Sequence, residues 1–318
     1  IRGLYVRYAA HHKHEAEAGR AFGPLLISLR FVIDGTRALP AVVGWLITRD
    51  PVWRARVKAR MHLNVTLVAL PMQDGLFAGA APQPLDSPVT IVLPVYNVFH
   101  LLPEVLGRVE DNTDLLWHLI VIEDCSTDDR VRPFLRDWTG ARADRVTLLE
   151  NPRNLGFIGS VNKGLKQALK QDNPVILLNS DALVPWGWAS RLIAPILRDE
   201  TVASVTPMSN DAELMTVPQI STRCPLVPGE GDALDALARR FDGRAILPEA
   251  PTGVGFCMAL NPDFLARVPG FDTDFGRGYG EEVDWCQKTR ALGGRHLGLA
   301  NLFVEHRGGE SFGSEAKQ

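Results

Sequence analysis

Val175-Ile176-Leu177-Leu178-Asn179-Ser180-Asp181 is the stretch whose reading decides the fold. Four consecutive apolar residues that stop in Asn, Ser and Asp read as a short strand buried on both faces, the kind found in parallel sheets covered by helices. Ligands of such sheets collect beyond the carboxyl ends of the strands, where a lone carboxylate such as Asp181 can hold a metal that bridges a diphosphate. From this stretch alone a second role is equally open to Asp181, as a helix cap or as the start of the turn into Pro185.

Outward from it, strand-like and helix-like runs alternate. Candidate strands cover residues 90–95, 118–123, 146–149, 202–206 and 256–260 besides 175–178, and a further apolar strand-like run precedes His306. Helical spacing covers 101–109, 130–138, 159–170, 188–197 and 283–292. This alternation predicts an α/β domain, a mostly parallel sheet with helices on its faces.

With 318 residues and 46% hydrophobic content, the chain can bury one large core, or a catalytic domain of about 230 residues plus an accessory segment. The net charge of -3 supplies no global attraction for nucleic acid, so none is expected as a partner, and an anionic ligand has to be held by local groups or a cation. Cys125, Cys224, Cys257 and Cys286 form no CxxC pair and no zinc-module spacing, which predicts reduced, mostly buried thiols in a cytosolic protein. The opening Ile1-Arg2-Gly3 has neither an initiator Met nor the apolar core of a cleavable signal, so a fragment trimmed at both ends is expected.

Residues 5–64 carry helical spacing, with Leu25, Leu26, Leu29 and Ile33 apolar and Arg30, Asp34 and Arg37 sharing one face. Residues 38–48 are apolar but too short to span a bilayer, and Pro40 is expected to interrupt them. Arg54, Arg56, Lys58 and Arg60 follow beside Trp53, and two readings stand: peripheral contact with an anionic membrane, or a helical hairpin packed on the catalytic domain or a partner domain. Residues 75–88, rich in Gly, Ala and Pro, read as a linker. The organisation is therefore a helical accessory segment plus linker over 1–80 and an α/β domain over 88–318.

The chemistry gathers at strand ends. Pro94-Val95-Tyr96-Asn97 closes the first strand; Tyr96 is either a core ring or a cover for a nucleobase, and Asn97 either bonds that base or caps the next helix. The second strand ends in Glu123-Asp124-Cys125-Ser126-Thr127-Asp128-Asp129, where Asp124 can accept a bond from a base N–H. Asn151-Pro152-Arg153-Asn154-Leu155-Gly156 leads into a helix, but Gly156, Gly159 and Gly164 fit neither GxGxxG nor a P-loop, which disfavours a dehydrogenase. Gly278-Tyr279-Gly280-Glu281-Glu282-Val283-Asp284 sets three acids at a helix head, where the macrodipole favours them and crowding raises the proton affinity of at least one, as a general base requires.

Together with Asn154-Leu155-Gly156-Phe157, Asn179-Ser180-Asp181 and His306-Arg307-Gly308-Gly309-Glu310-Ser311, and in this order from residue 90 to 311, these pieces resemble the family 2 glycosyltransferases of GT-A, Rossmann-like, fold. The resemblance implies that Tyr96 and Asp124 hold the nucleotide base, with Pro94, Asn97, Asn154, Gly156, Asn179 and Ser180 as further nucleotide-binding positions. It makes Asp181 the metal-binding acid of the DxD motif, with Asn179 replacing the first acid, and His306 the group that completes a Mn²⁺ or Mg²⁺ site. Thr252-Gly253-Val254-Gly255-Phe256 then lines donor sugar and acceptor, while Trp186 and Trp188 serve as core or acceptor platform. The family's usual Asp base is replaced by Glu282, which leaves Asp284 as a second candidate and Glu281 as a supporting one.

What the resemblance implies is an inverting, metal-dependent transfer of sugar from a nucleotide-sugar to a hydroxyl of a glycan or lipid-linked glycan acceptor. Bacterial surface polysaccharide synthesis, in the cytoplasm or peripherally at the inner membrane, is the expected setting. Asn179 and Glu282, as departures from the usual acids, keep open a catalytically inactive scaffold module. A sugar nucleotidyltransferase would need a Gly-rich, Arg-containing phosphate loop after the first strand, and residues 94–100 offer none.

Overall fold

The structure, a computed structural model, describes residues 24–48, 53, 57, 77, 86–244, 247–276 and 280–308. Much of the expected 5–64 helical segment and of the 75–88 linker lies outside the described residues, as do Arg54, Arg56, Lys58, Arg60, Gly278, Tyr279 and Gly309-Glu310-Ser311. The chain divides into two compact units, residues 1–71 and 72–318.

In the first unit, α1 (Pro24–Thr48) runs unbroken through Pro40. This corrects the expected interruption: an interior Pro removes one N–H and strains the preceding turn, but the turns on both sides keep their hydrogen bonds.

The second unit alternates β1 (Val89–Val95), α2 (Leu102–Asn112), β2 (Trp117–Glu123), α3 (Val131–Gly140), β3 (Val146–Glu150), α4 (Gly156–Ala168), β4 (Val175–Leu178), β5 (Ala182–Leu183), α5 (Trp188–Arg198) and β6 (Val202–Met208). It continues with α6 (Glu230–Ala238), β7 (Cys257–Leu260), α7 (Pro262–Arg267), α8 (Glu281–Ala291), β8 (Arg295–Phe303) and β9 (Glu305–His306). Seven strands form one sheet in the order β3-β2-β1-β4-β7-β6-β8, and β5 pairs with β9 apart from it. Only β7 runs against its neighbours β4 and β6; the other pairings in the sheet are parallel. The reading of a mostly parallel α/β sheet holds, β8 being the apolar run expected before His306, with β5, β9, α6 and α7 as elements beyond the candidate strands and helices.

Alternate residues of each central strand feed two cores, because both faces of a parallel sheet are covered. Ile91, Leu93 and Val95 of β1 pack with Leu102, Leu106, Leu192 and Trp188 from α2 and α5. Val92, Ile120 and Leu177 pack on the opposite face with Ile158, Val161, Leu165 and Trp285 from α4 and α8. α4 lies so close to the sheet that a Cβ on Gly164 would fall 2.5 Å from Val92. The chain leaves β1 toward β2 on one side and reaches β4 on the other, so the sheet's order reverses at β1, and the crevice beyond the carboxyl ends of β1 and β4 is where ligands of such sheets bind.

Candidate active site

The ends of β1 and β2 are in register, Val95 opposite Glu123, so the two following turns emerge side by side. Both carry left-handed backbone at Asn97 (φ 59), Val98 (φ 50) and Cys125 (φ 55), conformations that cost energy for residues with a Cβ, above all a β-branched one. Asn97 joins the turns: its Oδ1 accepts from the backbone N–H groups of Thr127 (2.9 Å) and Asp128 (3.2 Å), and its own N–H donates to Ser126 Oγ (2.9 Å). The buried Asp124 receives Asn151 Nδ2 and the Leu155 N–H on Oδ1, each at 2.8 Å. Asn154 Oδ1 accepts the Gly156 N–H at 3.0 Å, which shapes the turn that delivers Leu155 to Asp124.

A cleft forms there. Its walls are Pro94, Val95 and Tyr96 from the β1 end, Asp124 from the β2 end, and Asn179 and Ser180 after β4, closed by Phe157 and Ser160 of α4. Asn97, Asn154 and Gly156 are not among the walls; they shape the turns after β1 and before α4. Phe157 stands out in the sequence only as part of Asn154-Leu155-Gly156-Phe157, and neither it nor Ser160 carries an expected binding role, although their three-residue spacing at the head of a helix places them on one face.

Asp181 directly precedes β5, and β5 pairs antiparallel with β9, Ala182 opposite His306. This ribbon sets His306 Nε2 3.2 Å from Asp181 Oδ1. Asn210 brackets the histidine backbone, accepting its N–H at 2.8 Å and donating to its carbonyl at 2.9 Å. The ring stacks obliquely on Phe256 with centroids 4.9 Å apart, and His306 Nδ1 bonds the Asp211 carbonyl. A carbonyl only accepts, so Nδ1 carries a proton and the neutral ring turns a bare Nε2 toward the carboxylate. Asp181 Oδ1, His306 Nε2 and Asn179 Oδ1 are all buried without a completed hydrogen bond.

Two acceptors at that separation repel unless a proton or a cation lies between them. Burial alone lowers the His306 pKa, but the Asp181 carboxylate and the Asp211 carbonyl outweigh it and raise it on balance. A carboxylate oxygen and an imidazole nitrogen also form a donor pair suited to Mn²⁺, and adjacent ligands on such an ion stand about 3 Å apart, as these two atoms do. Among the described residues no group of three or more His, Cys, Asp or Glu side chains is placed to hold a metal ion.

Gly280 (φ 107) opens α8, and the first turn carries Glu281, Glu282 and Asp284. Glu281 is buried, and Glu282 keeps Oε2 buried without a partner. Burial pushes the Glu282 pKa up and the charge of Glu213 adds to this, while backbone N–H groups partly offset it. Asp284 instead pairs with Lys288 at 2.7 Å.

Buried bonds anchor the acidic helix. His296 accepts from Ser204 Oγ of β6 at 2.8 Å and donates through Nε2 to the Cys286 carbonyl at 2.9 Å, while Cys286 Sγ accepts the Gly253 N–H at 3.3 Å. The 252–256 segment continues to the Asn179 N–H, which donates to the Phe256 carbonyl at 2.8 Å. The loop at 209–216 touches both corners, with Asp211 on His306 and Glu213 (φ 44) acting on Glu282. Asn210, Asp211 and Glu213 were missed in the sequence; the one signal was Ser209-Asn210-Asp211 at a strand's carboxyl end, the same three residue types as Asn179-Ser180-Asp181 in a different order. Trp188 belongs to the core, whereas Trp186 is 58% exposed. Of the four free thiols, Cys257 and Cys286 are buried and Cys125 and Cys224 partly so.

Residues 90–268 match the family described as Glycosyl transferase family 2. The chain is 24% identical over 224 residues to N-acetylgalactosaminyltransferase 4 of Drosophila melanogaster, covering 68% of this chain and 33% of that protein. The crystal structure of GalNAc-T7 with UDP, GalNAc and Mn²⁺ superposes with a TM-score of 0.55 at 20% identity, over 69% of this chain and 44% of that one. The mannosyltransferase PcManGT from Pyrobaculum calidifontis, in complex with GDP-Man and Mn²⁺, gives 0.52 at 20% identity, over 88% and 69%. At that identity the superpositions establish the fold. The chain spans a third or less of the curated relatives it matches.

Proposed function

Because this chain belongs to glycosyl transferase family 2, we propose that it transfers a sugar from a nucleotide-sugar donor to a hydroxyl of a glycan or lipid-linked glycan acceptor, with inversion. Residues 88–318 are the catalytic domain and residues 1–80 the accessory segment. Tyr96 covers the nucleotide base and Asp124 accepts a base N–H, its Oδ1 being already held by Asn151 and Leu155. Because the two superposed transferases are described with different nucleotides, uridine and guanosine donors both enter the test.

Asp181 and His306 would hold a divalent cation, Mn²⁺ or Mg²⁺. When bound, such an ion supplies positive charge against the diphosphate leaving group. The observation that carries this reading is the buried Asp181–His306 pair: two acceptor atoms face each other at 3.2 Å, with the ring tautomer set by the Asp211 carbonyl.

Glu282 takes the acceptor's proton. Its raised proton affinity and unpartnered Oε2 suit that work better than Asp284, which Lys288 engages. A single displacement needs one base and no enzyme nucleophile, so the anomeric centre inverts.

The test is a thermal-shift screen of uridine, guanosine and thymidine diphosphate sugars with Mn²⁺, Mg²⁺ or chelator, followed by transfer and hydrolysis assays of wild type, Asp181→Ala and Glu282→Gln. Cation-dependent stabilisation by one donor class, with turnover lost in both variants, is expected. Neither stabilisation nor turnover with any donor would favour a catalytically inactive scaffold.

A further inference from the structure

The burial pattern of α1 is the reverse of that of a water-facing helix. Its buried positions hold Asp34, Ala38 and Ala41, and Trp53 packs so tightly on Gly44 that a Cβ there would fall 2.6 Å from the indole. The large aliphatic side chains point outward: Val32, Leu39 and Leu46, flanked by Leu29, Val43, Ile33 and Ile47, with exposures from 39% to 77%. Water selects the opposite arrangement, large apolar residues inside and polar ones outside. Small residues inside and large aliphatic ones outside is how helices pack when the surrounding solvent is hydrocarbon.

Three further features decide among occupants. At 100° per residue the outward apolar set sweeps an arc of about 140°, wider than the narrow a/d seam by which one helix pairs with another. Residues 38–48 carry no charge, while Arg37 is exposed on one side and Arg49, Arg54, Arg56, Lys58 and Arg60 follow on the other, against Asp50 alone. At a rise of about 1.5 Å per residue the uncharged stretch covers about 16 Å, half of a hydrocarbon core of about 30 Å. No described helix is long and apolar enough to cross a membrane.

We propose that the outward face of α1 is embedded in one leaflet of a bilayer rich in anionic lipid. The inference stands apart from the catalytic reading, since it uses none of the active-site residues.

The full chain is floated with vesicles of phosphatidylcholine alone and of phosphatidylcholine with phosphatidylglycerol in equal parts. Wild type is expected to float with the anionic vesicles and markedly less with the neutral ones. The combined Leu39→Glu, Val43→Glu and Leu46→Glu variant is expected to lower the bound fraction about tenfold or more, with far-UV circular dichroism and thermal midpoint unchanged. Leu237→Glu, an exposed position on α6, is expected to bind like wild type. Equal flotation of wild type and the triple variant, no flotation of wild type with either vesicle, or equal flotation with both vesicles would overturn the proposal. So would light scattering that finds a wild-type dimer in buffer and a monomeric triple variant while wild type does not float, because the face would then join two copies of this chain.

Discussion

Replacing Glu282 with Gln keeps the first turn of α8 and its packing but removes the carboxylate whose Oε2 is buried without a partner. If that group collects the acceptor's proton, its loss costs about 10² to 10⁴ in kcat, about 3 to 5 kcal/mol of barrier at 1.36 kcal/mol per decade. The upper part of that range applies, because the next carboxylate on the turn, Asp284, is held by Lys288 at 2.7 Å. Asp284→Asn deletes an ion pair whose side chains are 46% and 23% exposed, worth at most about 1 kcal/mol, or about fivefold in any step it supports. The assay is nucleoside diphosphate release with the donor chosen by thermal shift, with kcat and KM resolved separately. Glu282→Gln is expected to lose about 10³ to 10⁴ in kcat with donor binding unchanged, and Asp284→Asn to stay within about fivefold of wild type. Equal losses in the two variants, or Glu282→Gln within tenfold of wild type, would refute the assignment.

The raised Glu282 pKa places the acid limb of the kcat/KM profile above the ordinary glutamate range, and Glu213→Gln is expected to move that limb down; an unmoved limb would remove Glu213 from the account. The same sign governs stability: the folded state binds this proton more tightly than the unfolded chain, so the ionised group destabilises at neutral pH and the penalty is relieved as pH falls through the raised folded pKa. Arg191→Met removes two of the four bonds to the buried Asp235, which accepts from Arg191 at 2.9 and 3.0 Å and keeps Arg239 at 3.0 Å and the Phe303 N–H at 3.0 Å. Urea unfolding is expected to register a loss of about 2 to 3 kcal/mol, because Arg239 still compensates the charge, and a loss below about 1 would contradict a desolvated pair. Asn210→Ala deletes both bonds that bracket the His306 backbone, so Mn²⁺ affinity measured by calorimetry is expected to fall about tenfold while urea unfolding shows about 2 kcal/mol, and an unchanged affinity would show that the bracket does not position the histidine.

Continuous apolar runs made the four strands from β1 to β4 legible within a residue at either end, because a strand buried on both faces writes its burial directly into local composition. β8 was harder: Gly298, Ala300 and Asn301 dilute its apolar character, and what makes it a strand is pairing with β6. α4 starts at Gly156 rather than at 159, since a left-handed glycine (φ 74) lets the helix begin directly from the turn that holds Asp124. β5 and β9 are too short to show any period and exist only by pairing with each other. Site residues at the ends of β1, β2 and β4 were therefore visible as polar interruptions after apolar runs, whereas the approach of His306 to Asp181 was implied only by the order of motifs.

That asymmetry has a physical consequence for how the site is held. Asp124 and Asp181 are fixed by strands whose own burial drives their formation, while His306 depends on a short ribbon and on the loop at 209–216. The same loop bears on Glu282 through Glu213, whose left-handed backbone stores strain that the surrounding contacts must hold. A shift of this loop would therefore release the ring tautomer at one corner and change the proton affinity of the carboxylate at the other. The sheet fixes the ends of β1, β2 and β4, and the loop at 209–216 links the Asp181–His306 pair to the acidic helix through Asp211 at one corner and Glu213 at the other.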